Sequence, residues 1–100
     1  MRLSSHQQTL IKQVLSKHFG DSSEIRVFGS RLDDNARGGD IDLYIEPVLT
    51  MADDIVEAKL NALVELHQQL GEQKIDLVIN RKKGLVLPIY QVAKQQGVLL

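Results

Sequence analysis

Gly39-Asp40-Ile41-Asp42-Leu43-Tyr44-Ile45-Glu46-Pro47 is the stretch on which the fold turns. Polar and aliphatic residues alternate along it with the period of two expected of a strand. Pro47 closes it, because proline lacks the amide that a ladder needs. On such a strand Asp40 and Asp42 project from one face, with Tyr44, while Ile41, Leu43 and Ile45 project from the other. Ahead of it, Glu24-Ile25-Arg26-Val27-Phe28 is rich in β-formers and runs straight into Gly29-Ser30, the pattern of a strand ending in a tight turn. Nine residues separate Ser30 from Asp40, and this polar, glycine-ended segment from Arg31 to Gly39 predicts a short helical turn or loop. Downstream, Lys74 to Asn80 alternates as a third strand, with Ile75, Leu77 and Ile79 on one face and Asp76, Val78 and Asn80 on the other.

Helical spacing fills the segments between and around these strands. From Ser5 to Phe19 the apolar positions Leu10, Ile11, Val14, Leu15 and Phe19 share a face, with Ser5 and Gln8 matching a capping box and Gly20 marking a stop. Thr50 to Leu70 is longer, and places Val56, Leu60, Leu63, Val64, His67 and Leu70 on one stripe before Gly71. Arg81-Lys82-Lys83-Gly84 makes a basic turn, and Pro88 takes the first position of a last helix ending near Gly97. Val98-Leu99-Leu100 is apolar and needs a cover. The resulting order is helix, strand, strand, helix, strand, helix. The expected fold is α+β, a small mixed sheet flanked by helices, with residues 1–100 as one domain.

Composition narrows the function classes. The chain has 100 residues, 43% of them apolar and 25% charged, the balance of an ordinary globular protein able to bury a modest core. A net charge of -1 removes the broad basic field of a non-specific nucleic-acid binder, so nucleic acid is not the expected partner. The absence of cysteine excludes disulfides and thiolate metal sites and fits a reducing compartment. Neither the apolar core of a signal peptide nor a run of about 18 apolar residues is present, so no membrane partner and a cytoplasmic location are expected.

The strand acids carry the chemistry. Two carboxylates side by side repel unless a cation lies between them, and oxygen donors suit a hard ion such as Mg²⁺. Asp76 adds a third strand-borne acid among apolar neighbours, where an isolated charge is costly. Asp40, Asp42 and Asp76, if they meet, would hold two Mg²⁺ ions against a nucleotide's phosphates, with Asp76 as general base. Gly29 permits close backbone approach. Ser30 with the amides after it would cradle phosphate oxygens, and Arg31 is near enough to help.

Val27-Phe28-Gly29-Ser30-Arg31, Gly39-Asp40-Ile41-Asp42-Leu43-Tyr44-Ile45 and Lys74-Ile75-Asp76-Leu77-Val78 together resemble the minimal nucleotidyltransferases of the DNA polymerase β superfamily. The similarity runs over most of the chain, since the element order fits too. By resemblance, Gly29 and Ser30 bind the triphosphate, Asp40 and Asp42 hold both metals, and Asp76 holds one metal and addresses the nucleophile. One departure is Gly38-Gly39, where many relatives carry serine or another polar residue before the first aspartate. Minimal members of this kind often pair with a small helical HEPN protein in toxin–antitoxin systems. The resemblance therefore implies an antitoxin that transfers AMP from ATP to a tyrosine hydroxyl on a HEPN ribonuclease. The short chain agrees, since the acceptor must come from outside.

Plainer readings stand beside these. Asp40 and Asp42 on a solvated strand face would pair with Arg26 or Arg37, and such surface pairs contribute little. The basic turn reads as a solvated charge run, Tyr44 as a packing residue more than a pocket wall, and His67 as a satisfied core or interface histidine. Two other functions remain open: nucleotidyl transfer to a small hydroxyl compound, which needs an added substrate-binding region, and a non-catalytic protein that neutralises its partner by covering it.

Overall fold

A computed structural model gives the architecture and describes residues 1–32, 40–71 and 73–100. The expected linker beyond Leu32, with Arg37 and the Gly38-Gly39 pair, lies outside the described residues. Among those described, the chain order is α1 (Ser5–Phe19), β1 (Glu24–Phe28), a 3₁₀ turn (Gly29–Leu32), β2 (Ile41–Glu46), α2 (Ala52–Leu70), β3 (Ile75–Ile79), α3 (Pro88–Gln96) and β4 (Val98–Leu99). The sheet runs β3-β2-β1-β4. β1 is antiparallel to both β2 and β4, whereas β2 and β3 are parallel. Parallel neighbours need a crossover, and α2 supplies it. The fold is the small mixed α+β sheet that the sequence predicts.

Strand alternation divides the sheet into two unlike faces. Ile25 and Val27 of β1, Ile41, Leu43 and Ile45 of β2, and Ile75 and Leu77 of β3 form one core with Ile11, Val14, Leu15 and Phe19 of α1 and the inner side of α2. Each large aliphatic buried there stabilises the fold by roughly 1.5–3 kcal/mol. On the opposite face Phe28 and Tyr44 pack against Ala93 of α3, with Tyr90 beside them. The Tyr44 and Tyr90 rings lie 6.2 Å apart at 58°, a tilted aromatic pair. Tyr44 is thus a packing residue.

Three details depart from the sequence reading. The capping box is one residue earlier: Ser4 is the N-cap, its Oγ accepts from the Gln7 amide at 3.1 Å, and Gln7 Oε1 accepts from the Ser4 amide at 2.9 Å. Ser4 and Ser5 offer the same local pattern. Leu3, which is buried in the core, decides between them, and Gln8 Nε2 donates instead to the Leu3 carbonyl. The apolar C-terminus finds its cover as a fourth strand, β4 paired with β1, and the Leu100 amide donates to the Ile25 carbonyl at 2.9 Å. A Cβ at Gly97 would run into the carbonyls of Ala93 and Val27, so the turn from α3 into β4 brings backbone against backbone.

The largest departure is α2. Its fully buried side is Ile55, Ala58, Ala62 and Leu66; of the expected stripe, Leu63 and Leu70 pack partly buried against the core. Val56, Leu60 and Val64 point outward, 60%, 62% and 57% exposed. The alanines explain the switch, because small residues let α1 and α2 approach closely while adding little to a hydrophobic pattern. His67 lies on the exposed side, where its Nε2 is 3.0 Å from the Gln73 carbonyl. Among the described residues, no helix is long and apolar enough to cross a membrane.

Candidate active site

Parallel pairing of β2 with β3 sets Asp42 directly beside Asp76, in register as Ile41 is with Ile75 and Leu43 with Leu77. Residues in register share a face, and adjacent strands lie about 4.8 Å apart. The two acids that the sequence places on separate strands are therefore neighbours on the face opposite the main core. Asp42 is half-buried and Asp76 is exposed.

The glycine of the first motif meets the second of its aspartates. In the antiparallel β1–β2 pair, Phe28 lies opposite Asp42, so the next residue, Gly29, turns at the mouth of that pair. Gly29 has φ +77°, a conformation that side-chain-bearing residues rarely adopt, and a Cβ there would land on the Asp42 carboxylate Oδ2. The spacing between the motifs thus has a steric meaning: Asp42 occupies the space that a side chain at position 29 would need.

The sequence reading runs this strand from Asp40 to Glu46, and the observed β2 begins one residue later, leaving Asp40 just ahead of it. Its Oδ2 is 3.6 Å from Lys74 Nζ, and the Ile41 amide donates to the Lys74 carbonyl at 3.0 Å. Lys74, two residues before Asp76, is a member of this neighbourhood that the sequence reading overlooked, although the strand pattern already put it beside the acids. Arg31 reaches sideways: Nη1 donates to the Arg2 carbonyl at 3.2 Å and Nη2 to Gln73 Oε1 at 2.5 Å. It ties the 3₁₀ turn to the N-terminal segment and to the approach of β3. Ser30 occupies the second position of that turn, and its side chain lies outside what the structure describes. Gly29, Asp42 and Asp76 come together, with Asp40 at the edge beside Lys74.

The far end of the same face is closed by a polar network that sequence reasoning missed. Glu46 is 6% exposed, accepts from the Tyr44 hydroxyl at 2.5 Å, and lies 2.9 Å from Lys94 Nζ and 3.2 Å from Lys82 Nζ. Asn80 Nδ2 donates to the Tyr44 oxygen at 2.9 Å. Burial acts to raise the Glu46 pKa, but the hydrogen bonds from Tyr44, Lys94 and Lys82 outweigh it and hold the carboxyl down at about 2. Burial, with the Glu46 carboxylate alongside, pushes the Tyr44 hydroxyl well above its ordinary range, so it stays protonated and donating. The basic turn is only partly solvated as expected. Lys82 folds back onto Glu46, and Arg81 donates to the Thr50 carbonyl at 2.9 Å. Arg26 bonds Glu24 at 3.1 Å.

Among the described residues, no group of three His, Cys, Asp or Glu side chains converges into a ready cage for a metal. Mg²⁺ does not need one, since it keeps several waters and is commonly held by one or two carboxylates together with substrate phosphates. An all-oxygen pair in register, Asp42 with Asp76, fits that chemistry. Comparison with models of known protein families and with curated proteins returned no match.

Proposed function

We propose that the chain is a Mg²⁺-dependent nucleotidyltransferase that moves AMP from ATP to a hydroxyl, a tyrosine of a HEPN partner protein, and so acts as that partner's antitoxin. The observation that carries this reading is the Asp42–Asp76 register against Gly29. A transferase of this type needs two acids beside a glycine turn, and the register of Asp42 with Asp76 beside Gly29 supports that reading. The acceptor oxygen attacks the α-phosphorus of ATP, the bond to the β-phosphate oxygen breaks, and pyrophosphate leaves. Asp76, the more exposed acid, takes the hydroxyl proton; Asp42 and Asp76, with Asp40 at the edge, would hold the ion, and the amides of the turn after Gly29 would bind the phosphates. When bound, Mg²⁺ supplies charge neutralisation on the phosphates.

The test is to incubate the protein with ATP, Mg²⁺ and the product of the neighbouring gene, then to read that product by mass spectrometry for added AMP. One or more AMP groups on a tyrosine are expected. Tight binding without an adduct overturns the transferase reading in favour of neutralisation by complex formation.

A further inference from the structure

Two apolar stripes run along α2, and among the described residues only one packs into the core. Ile55, Ala58, Ala62 and Leu66 face the core, while Val56, Leu60 and Val64 stand on the far side of the helix, each more than half exposed. Two valines and a leucine in a row make the outward stripe more apolar than a helix face that only meets water. Asp53, Val56, Leu60, Val64 and His67 follow at steps of three, four, four and three, so they share one helix face and are spaced symmetrically about Leu60.

The stripe is also self-complementary. Lay a second α2 antiparallel across it with the two-fold axis at Leu60. Leu60 then meets its own copy, Val56 meets Val64, each four residues from the axis, and Asp53 meets His67, each seven residues away. Apolar residues face apolar ones and an acid faces an imidazole, twice over, as an isologous contact requires. Asp53 and His67 are both exposed on this side.

We infer that the outer face of α2 is a homodimer interface, occupied by a second copy of this chain packed antiparallel about Leu60. α2 covers the sheet face opposite Asp42 and Asp76, so the dimer presents its two acidic faces outward, each open to its own substrate. The pairing does not depend on the transferase chemistry.

The test is the molar mass of the purified protein by light scattering and sedimentation over a dilution series, with circular dichroism as the folding control. A mass twice the 11.2 kDa of one chain is expected at the concentrated end. A single-chain mass throughout overturns the interface. Leu60→Asp, at an exposed site that folding does not need, is expected to raise the dissociation constant at least about tenfold with the helix signal intact. A dimer indifferent to it overturns the surface. Asp53→Lys and His67→Glu should each weaken the dimer, and the two together should recover it. A double variant as weak as the singles overturns the antiparallel register.

Discussion

Asp42 and Glu46 stand four residues apart on the same face of β2, and the fold treats them in opposite ways. Glu46 is sealed beneath α3, with a tyrosine and two lysines on its oxygens, and its pKa is drawn down to about 2. Asp42 lies at the other end, half-buried, pressed against a glycine and in register with a second acid. A carboxylate flanked by cations that the chain itself supplies is structural: it fastens α3 and the basic turn to the sheet. One set in register with a second carboxylate offers paired oxygens that suit a hard cation from outside. The strand thus carries an anchor at one end and, on the proposed function, the reactive group at the other, separated by the buried ring of Tyr44.

Four measurements would break or sharpen this contrast. The largest effect is expected from Asp42→Asn, which removes an oxygen donor without touching the main core. Transfer should fall on the order of 10³-fold or more while thermal unfolding stays near wild type. Wild-type transfer by this variant would erase the functional end of the contrast. Gly29→Ala comes next, since it combines positive φ with a collision at Asp42. A loss of about 3 kcal/mol in urea unfolding is expected, together with impaired transfer. A fully stable, active variant would show that position 29 does not set the Asp42 carboxylate.

Glu46→Gln addresses the anchor. Its lysines remain half exposed and screened, so the expected cost is about 2 kcal/mol at neutral pH, below that of breaking a fully buried pair. The sign of the pH dependence is fixed by a folded pKa of about 2 against an ordinary 4.5. The contribution is complete above pH 4.5 and is lost as pH falls through about 2, up to about 3 kcal/mol. Denaturation followed at stepwise lower pH should show this decline in the wild type and a flatter course in Glu46→Gln. Identical acid limbs would remove Glu46 from the anchor. The smallest effect belongs to Lys74→Met: its pair with Asp40 is exposed and 3.6 Å long, and stability should move by no more than about 0.5 kcal/mol.

Strand alternation made the acidic face legible in advance, because a period of two assigns every residue of β2 and β3 to a side. Register was not legible. That Asp42 and Asp76 are neighbours depends on β2 and β3 being parallel, which the long helix between them permits but does not dictate. α2 misled in part for a related reason: Leu63 and Leu70 of the expected stripe do reach the core, but pattern favours Val56, Leu60 and Val64 over Ala58 and Ala62, which share the core with α1. β4 was invisible because two residues carry no periodicity. Glu46 was on the readable face all along, but Lys94 and Lys82 reach it from elements whose placement no local pattern reports.

The contact between Gly29 and Asp42 makes two positions in the sequence behave as one locus. A library randomised at position 29 alone would return little but glycine, and the same library built on a background with a smaller residue at 42 would open, because the blocking atoms belong to that carboxylate and only the dihedral preference would remain. The constraint usually credited to a motif's first half is here imposed by its second.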